Sequence, residues 1–152
     1  GILSKNDTTD SVIDAIATGC YEDARKSVEA AKATLDVLCA RYPMVLVSNF
    51  YGNIQAVLDD FQLTSYFPVV IESAVVGVRK PDPAIFRLGV EALALQPEEV
   101  VVIGDSYRKD IQPAQSLGCD TIWIKGAGWD DSEAAVQHDK IITDIAQLQE
   151  LL

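Results

Sequence analysis

Asp105 and Asp110 stand five positions apart, directly behind the apolar run Val100-Val101-Val102-Ile103 and the turn residue Gly104. Hard carboxylate oxygens at the end of a buried strand suit Mg²⁺, which keeps several waters and is often shared with substrate phosphates. Two further positions could serve the same chemistry. Ser48-Asn49 closes the apolar run Met44-Val45-Leu46-Val47, and Lys80 lies in a stretch bounded by Gly77, Pro81 and Pro83. Ser48 offers a hydroxyl to a phosphate oxygen, Lys80 an ammonium to its charge, and Asp105 and Asp110 a seat for the cation. Taken singly, each has a plainer use: Asp105 and Ser106 suit a helix cap, Ser48-Asn49 a turn, and a loop lysine a solvated surface.

The elements that must position these residues follow from the hydrophobic pattern. Four β-branched residues without alternation, Val100 to Ile103, predict a parallel strand covered on both faces, with Gly104 allowing a sharp turn at its carboxyl end. Similar short runs predict strands at Met44–Val47, Pro68–Ile71, Asp120–Ile124 and Ile141–Ile142. Helical spacing predicts a helix from Asp10, stopped by Gly19, and a second from Asp23 to Ala40. Further helices are expected after Gly52-Asn53, from Pro83-Ala84, between Asp110 and Gly118, and from Ile145 to the end. Glu72 to Pro83 reads as loop, and Gly1 to Asp7 as a frayed end. Alternating strands and helices predict an α/β fold with a parallel sheet and helices on both faces.

Composition narrows the function. The chain has 152 residues, 49% of them hydrophobic, and a net charge of −11, which argues against a nucleic-acid partner because a phosphate backbone needs a basic face. Its apolar runs are too short to span a bilayer, and its polar start carries no signal-peptide pattern, so no membrane association is expected. Cys20, Cys39 and Cys119, odd in number and without a C-x-x-C pair, read as buried, reduced thiols of a cytoplasmic protein. His138, beside Asp139, reads as a solvated surface residue. Tyr51, Tyr107 and Trp129 lie near the candidate residues, equally placed to touch a substrate or to lid the core.

Together, Val45-Leu46-Val47-Ser48-Asn49, then Val78-Arg79-Lys80-Pro81-Asp82-Pro83-Ala84-Ile85-Phe86, then Val102-Ile103-Gly104-Asp105-Ser106 through Asp110-Ile111, resemble the haloacid dehalogenase-like hydrolase superfamily. They look like its second, third and fourth motifs in order, and the likeness covers about residues 24 to 152. It implies a doubly wound parallel sheet with a helical cap inserted after the first strand, residues 1–23 being a remnant of that cap. It also implies hydrolysis of a phosphate monoester through an aspartyl-phosphate. Ser48 would bind a phosphoryl oxygen, helped by the backbone around Asn49. Lys80 would hold the phosphoryl group and the nucleophile's charge. Asp105 would ligate Mg²⁺, with Asp110 supporting it directly or through water. The Gly104-Asp105 form of the last motif favours a Mg²⁺-dependent phosphatase over the dehalogenase branch.

The family's first motif, Asp-x-Asp-x-Thr/Val behind the first strand, does not occur in these 152 residues. Asp7-Thr8-Thr9-Asp10, Asp59-Asp60, Asp82 and Asp130-Asp131 lack its spacing or its strand. A sheet without that strand should have two open edges and an apolar slot, to be filled by a missing N-terminal segment or a neighbouring chain. The chain alone should then have no turnover, for want of a nucleophile. The expected substrate class is a small phosphorylated metabolite: a sugar phosphate, phosphoglycolate, a nucleotide or a flavin phosphate. The alternatives are a non-catalytic phosphate-binding or regulatory relative, and a receiver-like or flavodoxin-like domain. The latter should place its acidic cluster behind an early strand, which this sequence does not have.

Overall fold

The computed structural model describes residues 4–126 and 136–152. The chain divides between Ala33 and Thr34 into two units. Its first element is one long helix, α1, Ser4–Arg41. Gly19 therefore does not stop a helix, and Ser4 to Asp7 are helical. Glycine costs about 1 kcal/mol in a helix interior relative to alanine, too little to break a helix of 38 residues whose second half is rich in Ala, Leu, Lys, Arg and Glu. In the first unit, Val12, Ile13 and Ile16 of α1 are more than half exposed.

In the second unit, α1 leads into β1 (Val45–Ser48), α2 (Ile54–Asp60), β2 (Val69–Glu72), the single turn α3 (Ser73–Val76) and α4 (Ala84–Leu93). Then come β3 (Val101–Gly104), α5 (Gln112–Ser116), β4 (Asp120–Ile124), the two-residue β5 (Ile141–Ile142) and α6 (Leu148–Leu151). All five expected strands form within a residue or two. Residues 73–76, read as loop, close a helical turn ended by Gly77 in the left-handed region at φ 73°, where glycine carries no steric penalty.

Among the described residues every strand pairing is parallel, in two separate sheets: β1 with β2, and β3–β4–β5 in that order. Helices cover both faces of the larger sheet. On one face Val90 of α4 and Ala114 of α5 pack with Val100 and Val102. On the other, Leu38 of α1 and Leu148 of α6 pack with Val101, Ile122 and Ile142. Each such aliphatic side chain contributes about 1.5–3 kcal/mol when fully buried.

Between the two sheets the ladder is interrupted. β1 and β3 each have one strand partner and are not paired to each other. Helix α4 packs on β1 and β2, where a Cβ on Gly89 would stand 3.1 Å from Val47, and its Val90 belongs to the apolar cluster against which Val102 of β3 packs. Val101–Ile103 is accordingly not covered throughout, and Ile103 retains 37% exposure. Among the described residues β1 and β3 thus each present one open parallel edge.

Among the described residues no helix is long and apolar enough to cross a membrane. Cys119 is buried as expected, but Cys20 and Cys39 are exposed, because both point out of helix α1. All three are free thiols.

Candidate active site

The candidate residues gather at the carboxyl ends of β1 and β3, where open parallel sheets place their ligands. Asn49, just past β1, grips the backbone of Lys80 from both sides. Its Nδ2 donates to the Lys80 carbonyl at 3.0 Å, and its Oδ1 accepts from the Lys80 N–H at 2.8 Å. Lys80 then reaches across to the other sheet, its Nζ standing 2.6 Å from Asp110 Oδ1. Asp110 Oδ2 accepts from the Ser106 N–H at 3.1 Å. Asn49–Lys80–Asp110 is thus a continuous polar bridge between the tips of two sheets that share no strand pairing.

The bridge is well buried at its acidic end. Asp110 is 3% exposed and the Lys80 side chain 17%. A pair so placed needs its charges matched and its remaining oxygens bonded, and the Ser106 N–H supplies the second bond. The turn that carries Asp110 is wide: Ile111 N–H returns to the Ser106 carbonyl, five residues back, across Tyr107–Ile111. Such π turns are uncommon and recur at functional sites.

Gly104 has a different role from the one expected. Its φ is not positive, so it is not there to turn the chain. A Cβ at Gly104 would lie 2.3 Å from Asp110 Cβ and 2.7 Å from its Cγ. The glycine leaves room for the Asp110 carboxylate to lie against the strand end.

Asp105 follows, exposed to solvent. Partial burial of its carboxyl against the turn, and next the neighbouring Asp110 carboxylate, push its pKa above the ordinary value of 3.8, while Lys80 opposes the shift. The folded chain therefore binds this proton more tightly than the unfolded chain. Asp105 favours folding below about pH 3.8, and that contribution is lost as the pH rises through the folded value. Asp105→Asn, without divalent cations, is expected to raise the melting temperature by roughly 1–4 °C at pH 7. The gain should vanish near pH 3, and a thermal melt at the two pH values checks it.

The donor set fits Mg²⁺. Two carboxylates that repel each other, one open and one already neutralised by a lysine, leave a seat for a cation with one or two protein ligands and several waters. No group of three or more His, Cys, Asp or Glu residues able to hold a metal by themselves occurs among the described residues.

Ser48 stands half-buried at the tip of β1, next to Asn49 in the chain. Sequence reasoning missed the supports behind these residues. Glu72 and Ser73, at the end of β2, tie down the segment after Asn49: Ser73 Oγ accepts from the Phe50 N–H at 3.2 Å, and Glu72 Oε1 accepts from the Gly52 N–H at 2.5 Å. Nothing in a glutamate at the start of a loop signals this. Tyr51 is 91% exposed. Tyr107 lies against Trp123 with ring centroids 5.5 Å apart. His138 is not a solvated residue. Its Nε2 is 2.8 Å from Thr121 Oγ1 and its Nδ1 accepts from the Lys140 N–H, because β5 follows at once and brings it against β4. Trp129 lies outside the described residues.

The model of the haloacid dehalogenase-like hydrolase family matches residues 4–118. The chain belongs to that family. A haloacid dehalogenase-like hydrolase domain-containing protein 3 from Mus musculus is 30% identical over 141 residues, which cover 88% of this chain and 56% of the mouse protein. A glyceraldehyde 3-phosphate phosphatase from Pyrococcus furiosus is 36% identical over 93 residues, 60% of this chain and 39% of that protein. Among solved structures, a HAD phosphatase from Thermococcus onnurineus superposes with a TM-score of 0.66 at 28% identity, covering 83% of this chain and 54% of that one. The chain thus spans about half the length of these haloacid dehalogenase-like relatives, and the α/β fold with parallel sheets is theirs.

Proposed function

We propose that these residues are the core of a Mg²⁺-dependent phosphatase of the haloacid dehalogenase-like family, acting on a small phosphorylated metabolite in the cytoplasm. The observation that carries this reading is the Asn49–Lys80–Asp110 bridge with Asp105 beside it. In this reading Ser48 and the backbone at Asn49 hydrogen-bond the phosphoryl oxygens. Lys80, held by Asn49, presents positive charge to the phosphoryl group and to the attacking carboxylate. Asp105 and Asp110 hold Mg²⁺, which when bound neutralises charge on the transferring phosphoryl group. Free thiols at Cys20, Cys39 and Cys119 accord with a reducing compartment.

The nucleophile belongs, in this reading, to a strand from a segment outside these 152 residues, which pairs between β1 and β3. The open edges of β1 and β3 support that placement, and so does the share of the relatives' length that the chain spans. The exposed Val12, Ile13 and Ile16 suit a helix taken from a larger helical cap. The test is phosphate release from a panel of phosphomonoesters by the protein expressed from its complete coding region. Turnover that needs Mg²⁺, stops in EDTA and is absent from the 152-residue chain alone is the expected result. Absence of turnover from the complete protein favours a non-catalytic phosphate-binding relative.

A further inference from the structure

The register of the larger sheet sets Trp123 of β4 opposite Gly104 of β3. Its indole is 2% exposed, and its Nε1 donates to the carbonyl oxygen of Asp105 at 3.0 Å. The indole thus crosses the strand boundary to bond the first residue beyond β3. On the same ring lies Tyr107, the first residue of the π turn that ends at Ile111, and Lys125 Nζ sits 4.9 Å from the ring centroid. Tyr107 is backed in turn by His138, edge-on at 6.5 Å. The turn from Asp105 to Asp110 is therefore held at two points from one side chain, by a hydrogen bond at Asp105 and by ring contact at Tyr107. Asp110 fastens its far end through Lys80 and the Ser106 N–H.

We propose that Trp123 is a positioning residue for the cation and phosphoryl site. Its indole N–H fixes the Asp105 peptide, so that the Asp105 carboxylate leaves β3 in the direction that sets it beside Asp110. The Asp105–Ser106 peptide is thereby held at both ends, its carbonyl by the indole and its N–H by the Asp110 carboxylate. A buried indole N–H without its acceptor is costly, and this fixes the pairing. The inference rests on the reading of Asp105 and Asp110 as cation ligands only for its functional half.

The experiment compares the wild-type 152-residue chain with Trp123→Phe, which keeps an aromatic ring without the N–H. A second variant carries benzothienylalanine at position 123, keeping the bicyclic shape and losing only the donor. Amide hydrogen exchange is read at Ser106 and Asp110 against core amides of β4, and Mn²⁺ is titrated as the probe cation. The expected result is exchange faster by about tenfold at Ser106 and Asp110, with core amides unchanged, and Mn²⁺ affinity lower by about five- to tenfold. Exchange that rises evenly through the core, or not at all, overturns the proposal. So does selective loosening with unchanged Mn²⁺ affinity. If the wild type and Asp105→Asn take up Mn²⁺ equally, the cation reading of this site falls, and the exchange data alone decide whether the indole holds the turn.

Discussion

Lys80→Met is expected to lower the unfolding free energy of the chain by about 3 kcal/mol, the low end for breaking a buried ion pair. The substitution keeps most of the aliphatic stem and removes the ammonium, together with the approach of its Nζ to the Phe86 ring, 5.9 Å from the centroid. Asp110, 3% exposed, then keeps a carboxylate whose Oδ1 has lost its charged partner. The loss sits at the low end because the lysine side chain retains 17% exposure and some solvent already screens the pair. Urea unfolding should show a lower midpoint at unchanged slope. Asp110→Asn added to Lys80→Met should restore much of the loss, since an amide needs no counter-charge. Equal stability of the single and double variants contradicts the pairing.

The second large effect is predicted for one added methyl group. Gly104→Ala places a Cβ 2.3 Å from Asp110 Cβ. That atom is anchored to the backbone of the turn, so the turn itself has to move. Overpacking of this kind costs about 1–3 kcal/mol, and the displaced Asp110 also loses its short contact with Lys80. The same substitution at Gly19, where a Cβ meets nothing within 4 Å, should instead stabilise the helix by about 0.5–1 kcal/mol. Opposite signs in the two urea midpoints are the expected outcome. A neutral Gly104→Ala would show that Asp110 does not lie against the strand end.

Much of this molecule is legible in its sequence because its strands are short, dense in β-branched residues and punctuated by glycine or proline. Val45–Ser48, Val69–Glu72, Val101–Gly104 and Asp120–Ile124 each announce themselves in that way. Asn49, Lys80 and Asp110, which the fold brings together, stand out in the sequence by their order and spacing, although each residue type is ordinary.

What the sequence does not disclose depends on contacts between distant segments. That Asn49 grips Lys80 by its backbone, and that Lys80 spends its charge on Asp110, follows from how two loops meet. The part played by Trp123 depends on a parallel register that sets it opposite Gly104. Gly19 misleads because a helix breaker at the end of one apolar pattern resembles a stop, whereas its cost is small against the length of α1. His138 misleads because its polar neighbours suggest solvent, while its ring is taken up by Thr121 and Lys140.

The central claim is that Ser48, Lys80, Asp105 and Asp110 serve a carboxylate nucleophile that lies on a strand outside these 152 residues. Rapid-quench labelling tests it most directly. The protein expressed from its complete coding region is mixed with a ³²P-labelled phosphomonoester that it hydrolyses, quenched in acid and mapped by mass spectrometry. The account predicts a hydroxylamine-labile acyl phosphate on an aspartate outside residues 1–152, with labelling abolished by Asp105→Asn or Lys80→Met. A hydroxylamine-stable label on Ser48, or any label within the 152 residues, contradicts it.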